Sequence, residues 1–443
     1  MKKRWPYPKY KPFGVGARHA VPLRWEIPVH WEVKRLKHVA RINLNTLTEG
    51  TEPDCVIKYI DIGNVGENGL LAETEEMIFG NAPSRARRII KKDNVIISTV
   101  RTYLKAIAHF PNPENNLVCS TGFAVLEPGN LVIPRFIYYL ACCDEFIETI
   151  MAYSVGVRYP AINASVLANF PVWLPSVSEQ RAIAAYLDTE TAKINALVAT
   201  KERFIELLAE KRTALISQAV TKGLDPNVPL KDSGVGARHA VPLRWEIPAH
   251  WEVKRLKHVV SSLIVKGNSV KRPFVALEYI MSGFAKLVND YEYPIADASE
   301  YALFEEGDIL FGKLRPYLRK YWLANFSGCC PTELLVLRPD EEQLDRKFFY
   351  YFIQSAYFIA IADGTSYGVK MPRTSWEKLG WMSIVFPDIY EQRTIATYLD
   401  AETAKIDALI TKTRESIEKL KEYRTALISA AVTGKIDVRE EAP

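Results

Sequence analysis

The chain has 443 residues, of which 48% are hydrophobic, and a formal net charge of +5. This length exceeds what a single domain usually needs, so at least two domains are expected. The small positive charge permits an anionic partner without requiring one, which makes the positions of the basic residues decisive. No apolar run reaches membrane-spanning length, the start is basic and rich in proline, and the six cysteines lack metal-ligand spacing. The sequence therefore predicts a soluble cytoplasmic protein that does not interact with a membrane.

In chain order, the first feature is a block that occurs twice. Residues 14–40 return as residues 234–260 with only two changes. Both copies are rich in proline and aromatic residues, which favours extended and turn conformations. A second block, residues 179–188, recurs in the same way as residues 391–400. A repeat of this length predicts two halves built on a common framework.

Between the repeated blocks lie two variable regions, residues 41–155 and 261–367, which barely resemble each other. Each contains short apolar runs that are typical of strands and longer aromatic and apolar runs that are typical of buried helices. We therefore predict the α/β (α+β) fold class, with two globular mixed α/β domains in one chain.

Two long stretches without proline follow the variable regions, at residues 181–220 and 393–432, and each ends near a glycine. Apolar residues recur in them at alternating four- and three-residue steps, as in the a/d seam of a heptad repeat. A helix of about 40 residues is roughly 60 Å long. We predict that two such helices pack on each other as a coiled coil. The predicted packing residues are Ile183, Leu187, Ile194, Leu197, Phe204, Leu208 and Leu215 in the first helix, and Ile395, Leu399, Ile406, Leu409, Leu420, Tyr423 and Leu427 in the second.

The direction of the two helices follows from the length of the connection between them. An antiparallel pair needs only a short connection into the second domain, whereas a parallel pair needs a segment that returns along the whole helix, which an extended chain could provide. The antiparallel arrangement is favoured. Two unrelated amphipathic helices, each packed on its own domain, are the alternative.

These features divide the chain into four parts with pseudo-twofold internal repetition. Residues 1–178 form the first domain with its N-terminal segment rich in proline and aromatic residues, and residues 179–222 form the first spacer helix. Residues 223–390 form a linker and the second domain, and residues 391–443 form the second spacer helix with a C-terminal tail. The two halves of the one polypeptide are therefore expected to be arranged like the two subunits of a dimer.

The sequence lacks the common motifs of catalysis. It has no G-x-G-x-x-G that opens a helix, no Walker lysine loop, no H-E-x-x-H and no Asn/Asp-Pro-Pro-aromatic segment. None of the histidines is spaced as a helical pair of metal ligands. We therefore predict no catalytic residue, metal site or cofactor in this chain. A methyltransferase or nuclease in its own right is a disfavoured alternative.

Basic and aromatic residues cluster inside the variable regions. Arg101, Tyr103 and Lys105 stand at two-residue steps after a predicted strand, and the second region has the same pattern. On an extended segment such residues share a face, which suits phosphates and the edge of guanine. A basic run at residues 85–92 adds to the expected phosphate contacts. The predicted DNA-binding residues are Arg85, Arg87, Arg88, Arg101, Tyr103, Lys105, Arg158, Lys313, Arg315, Tyr317, Arg319 and Lys370. An ordinary solvated surface is the alternative.

The repeated motifs resemble those of a known family. The sequences Trp-Glu-Ile-Pro-x-His-Trp-Glu-Val-Lys-Arg-Leu, Leu-Arg-Pro-Tyr-Leu and Glu-Gln-x-x-Ile-Ala-x-Tyr-Leu-Asp-x-x-Thr-Ala-Lys-Ile are similar to specificity subunits of type I restriction-modification systems. The likeness covers nearly the whole chain, in the order domain, helix, domain, helix. The stretch at residues 14–24, repeated at 234–244, departs from the family pattern, and only an extended linker is expected there.

The resemblance implies that each variable region is a target recognition domain that reads one half of a bipartite, asymmetric site in double-stranded DNA. The helices would set the half-site spacing and dock two methyltransferase subunits, and motor and nuclease subunits would join for restriction. Adenine-N6 methylation and ATP-dependent cleavage, with S-adenosylmethionine, ATP and Mg, would belong to those partners. A coiled-coil scaffold that binds proteins and never touches DNA is the alternative.

Overall fold

A computed structural model describes residues 10–15, 23–66, 69, 73–156, 158–234, 246–263, 271–284, 286–288 and 293–438. The chain divides into two compact units. Unit 1 comprises residues 1–200 with 416–443, and unit 2 comprises residues 201–415. Each unit therefore holds one variable region together with part of each long helix. The repeated stretches at residues 14–24 and 234–244 lie largely outside the described residues.

The first half of the chain forms twelve strands and four helices within the described residues. The strands are β1 (Tyr10–Val15), β2 (Leu23–Pro28), β3 (Glu32–Arg35), β4 (Ala40–Ile42), β5 (Val56–Ile60), β6 (Glu75–Ile78), β7 (Ala86–Ile89), β8 (Asn94–Ser98), β9 (Ile107–Phe110), β10 (Leu117–Ser120), β11 (Phe123–Pro128) and β12 (Pro171–Leu174). The helices are α1 (Pro134–Cys142), α2 (Asp144–Tyr153), α3 (Ala164–Leu167) and the long α4 (Val177–Lys222).

The second half forms a corresponding set within its described residues. The strands are β13 (Leu230–Asp232), β14 (Glu246–Pro248), β15 (Glu252–Arg255), β16 (Val260–Leu263), β17 (Lys271–Pro273), β18 (Ile295–Asp297), β19 (Ala302–Phe304), β20 (Ile309–Gly312), β21 (Tyr321–Leu323), β22 (Gly328–Cys330), β23 (Leu334–Pro339) and β24 (Ser383–Phe386). The helices are α5 (Arg346–Phe352), α6 (Ala356–Gly364), α7 (Trp376–Leu379) and the long α8 (Ile389–Val432).

A four-stranded antiparallel sheet recurs in both units. Its strand order is β4-β11-β8-β9 in unit 1 and β16-β23-β20-β21 in unit 2. Every residue of β8 and β20 is buried, which explains their short continuous apolar runs. Unit 1 adds the second sheet β6-β5-β10-β7, whereas unit 2 has the two-stranded pairs β17-β18 and β19-β22. The two variable regions thus share a framework and differ in the elements added to it.

The two long helices run antiparallel within each unit, as the sequence predicts. In unit 1 the start of α4 and the end of α8 share one core, where Ile183 and Leu187 lie with Leu427 and Ile428. In unit 2 the end of α4 and the start of α8 share the other large core, which includes Ile216 together with neighbouring α8 side chains. The alternative of two helices that each pack alone is therefore wrong.

The residues that form the helix seam differ in part from the prediction. Four predicted packing side chains are exposed, namely Leu197, Phe204, Leu409 and Tyr423. The buried and half-buried seam of α4 instead follows positions 180, 184, 187, 191, 194, 198, 201, 205, 208, 212, 215 and 219, and α8 repeats it 212 residues later. Several of these positions hold polar residues, among them Thr191, Lys201 and Arg212. Because the prediction used apolar residues alone, it omitted these polar positions and included exposed leucine, phenylalanine and tyrosine residues beside the seam.

Trp31, in the first repeated block, contacts the ends of both long helices in unit 1. Trp31 Nε1 donates a hydrogen bond of 3.1 Å to Glu179 Oε1, near the start of α4. Its ring also lies against Gly434, just beyond the end of α8, where an added Cβ would be 3.3 Å from Trp31 Cη2. A single buried side chain therefore holds two helix ends that are far apart in sequence.

The second copy of the first repeated block, residues 234–260, makes the same contacts in unit 2. Trp251 Nε1 donates to Glu391 Oε1 at 3.1 Å and lies against Gly223, just beyond the end of α4. The neighbouring histidines contact the same glutamates. His30 Nε2 lies 3.2 Å from Glu179 Oε2, and His250 Nε2 lies 2.7 Å from Glu391 Oε2. These contacts give the repeated tryptophan and histidine a structural role.

We expect Gly434→Ala to lower the free energy of unfolding by about 2–4 kcal/mol, because a left-handed backbone and overpacking each cost about 1–3 kcal/mol. Gly434 has φ 74°, and an added Cβ would lie 2.6 Å from Pro28 Cδ. Gly234 is the matched control, since it has φ 64° and no described atom within 4 Å of an added Cβ. Gly234→Ala should cost only about 1 kcal/mol. Denaturant unfolding measures both variants, and equal losses would contradict the packing role of Gly434.

Candidate nucleic-acid interface

In each unit, a central strand of the shared sheet leads into a short 3-10 turn with a basic residue at both ends, and we call this turn with its two flanking residues the corner. After β8, Arg101 and Lys105 have left-handed backbones, with φ 52° and 49°, on either side of a 3-10 turn at Thr102–Leu104. After β20, Arg315 and Arg319 flank the equivalent turn with φ 46° and 51°. These are four of the six non-glycine residues with positive φ in the described part of the chain. Such conformations persist only where the surrounding structure enforces them, and they cluster at functional sites.

The prediction that Arg101, Tyr103 and Lys105 lie on an extended segment is wrong. A 3-10 turn has three residues per turn, so residues two apart do not share a face. Tyr103 and Tyr317, each at the middle of its turn, are 49% exposed. The N–H groups of Arg101 and Arg315 donate to a distant loop, a contact that the local sequence does not reveal, whereas those of Lys105 and Arg319 donate within the turn.

Lys105 and Arg319 turn toward the protein at the far end of each corner. Lys105 Nζ lies 3.4 Å from Asp144 Oδ1 at the start of α2. Arg319 Nη1 donates to Thr213 Oγ1 on α4 at 2.9 Å. These two basic residues therefore make internal contacts, and the prediction that they share a face with the arginine and tyrosine of the corner is wrong.

A second loop packs on the corner of unit 1. The backbone N–H of Arg101 donates to the carbonyl of Pro160 at 2.8 Å, and the guanidinium lies 4.7 Å from the centre of the Tyr159 ring. Arg158 is exposed in the same loop. We call the exposed side chains of Arg101, Tyr103, Arg158 and Tyr159 the first corner surface. It combines two cations with two aromatic rings.

The corner of unit 2 has the same construction and different residues. Arg315 Nη2 donates to the carbonyl of Lys370 at 3.4 Å. Arg373 pairs with Tyr367 across the loop and places its guanidinium 5.5 Å from the centre of that ring. We call the exposed side chains of Arg315, Tyr317, Tyr367, Lys370 and Arg373 the second corner surface. It combines three cations with two aromatic rings.

Sequence reasoning missed Tyr367 and Arg373. The available signal was the match between residues 156–160 and 368–372, which marks a loop shared by both halves. Arg373 and Tyr367 stand directly on either side of that loop. Their contact depends on the pairing of Arg373 with both Tyr367 and Leu314, which joins the loop to the corner.

The basic run at residues 85–92 does not form one exposed surface. Arg87 stacks over the ring of Phe79 at 4.8 Å and is half-buried. Arg88 is also half-buried, and its buried Nε has no hydrogen-bond partner among the described residues. These two arginines are less accessible than a single exposed basic surface requires, because consecutive residues of a strand face opposite sides and both sides are partly covered here. Phosphate contact by Arg87 and Arg88 stays a prediction. Arg85 precedes β7 and is exposed.

Lys313 lies at the base of the second corner and is half-buried. Its carbonyl accepts a hydrogen bond of 3.0 Å from the N–H of Thr374, in the segment that follows the loop. The pKa of Glu377 is lowered chiefly by a hydrogen bond from Ser375, with the charge of Lys313 as a smaller cause. Lys313 therefore supports the corner more than it extends the exposed surface.

Two negative findings apply to the described part of the chain. No cluster of three or more histidine, cysteine, aspartate or glutamate side chains there is arranged to hold a metal ion. Among the helices of the described ranges, none has the length and apolarity to span a membrane.

The two corner surfaces define the class of protein. Each unit presents cations and aromatic rings at the same corner of the same sheet, and the two sets of side chains differ. The chain thus carries two non-identical recognition modules on a duplicated framework.

The chain belongs to a known family. The profile of the type I restriction modification DNA specificity domain matches it twice, over residues 28–207 and 248–419, which is more than half of its length. Each match covers one variable region and most of the helix that follows it. This double match confirms the interpretation of the chain as a DNA-target recognition subunit.

Relatives and solved structures agree with this assignment. The chain is 24% identical over 351 residues to the type I restriction enzyme MjaVIII specificity subunit of Methanocaldococcus jannaschii, covering 74% of this chain and 76% of the relative. It is 23% identical over 335 residues to the EcoDI specificity subunit of Escherichia coli, covering 72% and 73%. A solved chain from a study of complex assembly and conformational transition of the type I R-M system has the same fold. That chain is 22% identical with a TM-score of 0.69, and the match covers 92% of this chain and 99% of that one.

Proposed function

We propose that each unit reads one half of a bipartite, asymmetric target in double-stranded DNA through its corner surface. One observation carries this proposal. Both specificity domains present exposed arginine and tyrosine side chains at the same corner of the shared sheet, and the two sets differ in composition. Different side chains at equivalent places suit different half-sites, so the target would not be palindromic.

The charges of the corner surfaces suit a DNA backbone. The second corner surface carries three cations, Arg315, Lys370 and Arg373, and the first carries Arg101 and Arg158, with no acidic member in either set. Cations of this kind neutralise phosphates and make affinity dependent on salt. An arginine can also donate two hydrogen bonds to a guanine edge, which supplies sequence choice.

The corners are also fixed before any partner binds. The N–H of Arg101 is hydrogen-bonded to Pro160 at 2.8 Å, and the N–H of Arg315 to Pro372 at 2.7 Å. These bonds hold the base of each side chain in its left-handed conformation. A preorganised side chain loses less conformational freedom on binding, which favours both affinity and discrimination.

We further propose that the chain is a non-catalytic subunit of a larger complex. In this proposal two methyltransferase subunits dock on the long helices, where Leu197 and Tyr423 in unit 1 and Phe204 and Leu409 in unit 2 are exposed apolar side chains. Motor and nuclease subunits join that assembly. S-adenosylmethionine, ATP and Mg bind to these partners, which carry out adenine-N6 methylation and ATP-dependent cleavage.

We expect Arg101→Ala and Arg315→Ala each to blur one half of the recognised motif. If the arginine reads a base, binding to the best duplex should weaken by about 1–3 kcal/mol at that half-site, and if it contacts a phosphate, the salt dependence should fall by about one charge. Sequencing of duplexes that the purified chain selects from a random pool measures the motif. Fluorescence anisotropy at several salt concentrations measures the affinity.

The control for this experiment is Arg87→Ala, which removes a half-buried cation that stacks on Phe79 and is not a member of either corner surface. The selected motif should be the same for this variant and the wild type. Unchanged motifs together with unchanged salt dependence for both corner variants, or an equal loss for all three variants, would remove the corner surfaces from the DNA interface.

A further inference from the structure

Two buried arginines occupy equivalent positions in the two halves of the repeat. Arg212 on α4 and Arg424 on α8 are 212 residues apart, and they are 7% and 8% exposed. A buried guanidinium is costly unless a partner compensates its charge. The partners of each arginine therefore show how the two units differ.

Arg212 donates hydrogen bonds to an acid and an amide of unit 2. Its Nε donates to Asp407 Oδ1 at 3.1 Å, and its Nη1 donates to Gln354 Oε1 at 3.0 Å. The other oxygen of Asp407 lies 3.7 Å from Lys286 Nζ. The charge of this arginine is compensated inside the unit.

Arg424 lacks both of these partners in unit 1. The positions of Gln354 and Asp407 correspond to Cys142 and Asn195 in the first half. Asn195 carries no charge, and burial raises the pKa of the Cys142 thiol to about 11, which keeps it neutral. Arg424 Nε is buried and has no hydrogen-bond partner among the described residues. Unit 1 therefore contains the buried arginine but lacks the equivalents of the two groups that bind Arg212 in unit 2.

Arg424 also lines a cavity of ≈ 70 Å³. Lys105, Lys421 and Thr425 line the same cavity, and three isoleucines form part of its wall. This space exceeds what one water molecule needs, about 10–15 Å³. The position of Lys421 corresponds to Ala209 in unit 2, so unit 1 has an additional cation beside Arg424 and lacks the equivalent of the Asp407 carboxylate.

Each of the two lysines that line this cavity has an acidic partner. Asp144 lies 3.4 Å from Lys105, and Glu418 accepts a hydrogen bond of 3.0 Å from Lys421 on the exposed side of α8. Neither acid is hydrogen-bonded to Arg424. Arg424 therefore lines the cavity with a guanidinium whose buried Nε has no hydrogen-bond partner among the described residues.

We propose that this cavity is a binding site for an oxyanion of the size of phosphate. The oxyanion supplies to Arg424 the negative charge that Asp407 supplies to Arg212, and it accepts charge-assisted hydrogen bonds from the guanidinium. Lys105 and Lys421, which also line the cavity, add electrostatic attraction. A free inorganic anion and a phosphate of a DNA backbone share this chemistry. The proposal does not depend on the function of the corner surfaces.

Calorimetric titration of the full chain with inorganic phosphate, at constant ionic strength, tests the site. We expect saturable binding to the wild type and a rise in the melting temperature beyond that given by chloride. Arg424→Met should weaken phosphate binding by about tenfold or more, because charge-assisted hydrogen bonds are lost. Arg203→Gln is the matched control, since it removes an exposed cation of α4 that is paired with Glu206, and it should bind phosphate as the wild type does.

Asn195→Asp is a second variant that retains Arg424. It places a carboxylate at the position equivalent to Asp407, so it should weaken phosphate binding by a similar factor while the chain stays folded. A wild type that phosphate stabilises no more than chloride does, or an Arg424→Met variant that binds phosphate as well as the wild type, would overturn the proposal.

Duplex DNA distinguishes the two sources of the oxyanion. If the site takes a backbone phosphate, Arg424→Met should weaken binding to all duplexes and lower the salt dependence by about one charge, and free phosphate should compete with DNA. If the site takes a free anion, DNA affinity should be unchanged in Arg424→Met, and phosphate should still bind to the complex. Both results support the oxyanion site, and they assign its ligand.

Discussion

A chain in which residues 261–390 also replace residues 41–178 should select DNA that contains two copies of its second half-site. The replacement is possible because both segments begin after the first repeated block and end before the second one. The last incoming strand, β24, also finds an equivalent partner in β3. β24 pairs with β15 in unit 2 as β12 pairs with β3 in unit 1, and the paired residues of β3 and β15 are identical.

The transplanted domain should also dock on α4 through contacts that already exist in unit 1. Tyr139 donates to Asp188 at 2.6 Å, and Tyr351 donates to Asp400 at 2.7 Å, between equivalent helices in each half. Since Asp188 and Asp400 occupy the same position of the second repeated block, Tyr351 should reach Asp188 after the exchange. The helix interface therefore remains intact while the corner surface changes.

Sequencing of the duplexes selected from a random pool measures the outcome of the exchange. The reciprocal chain, with residues 41–178 in place of 261–390, is the control and should select two copies of the first half-site. Retention of the wild-type asymmetric motif by either chain would contradict the assignment of one half-site to each unit. Loss of both half-sites, in a chain that unfolds at the same denaturant concentration as the wild type, would contradict it equally.

Repetition made the framework predictable from sequence. Identical residues make identical contacts, so Trp31 and Trp251 bind Glu179 and Glu391 in the same way. The long helices were equally clear, because a heptad pattern without proline over such a length has few other structural solutions. The exact seam was less so, since polar residues such as Arg212 occupy buried positions of the observed seam that a pattern of apolar residues does not include.

Individual strands of the shared sheet were predicted from their apolar runs, but their equivalent places in the two sheets were not, because a buried strand demands apolar residues and little else. Asn94–Ser98 and Ile309–Gly312 have different sequences and occupy the same place in the sheet. The corners were hidden for another reason. The left-handed backbone of Arg101 is held by Pro160, a residue far along the chain. No local pattern reveals such a contact, which explains why the segment was expected to be extended.

We expect Arg212→Met to lower the free energy of unfolding of unit 2 by about 3–5 kcal/mol, because removal of one partner leaves a buried charge uncompensated. Asp407, whose side chain is 14% exposed, would lose its shortest ion pair, and Gln354 would lose its hydrogen bond from Nη1. Lys286 is exposed and lies 3.7 Å from Asp407, so it compensates the carboxylate only weakly. Denaturant unfolding, followed by tryptophan fluorescence, measures the loss.

The equivalent substitution in unit 1 is the matched control. Arg424→Met removes an arginine whose Nε has no partner among the described residues, so in buffer without phosphate it should cost less than about 1 kcal/mol or be stabilising, as replacements of poorly paired buried charges often are. Arg212→Met combined with Asp407→Leu removes both members of the pair and should recover most of the loss. Equal losses for Arg212→Met and Arg424→Met would show that both arginines act only through packing. An asymmetric result would show that the two halves of one repeat compensate the same buried charge in different ways.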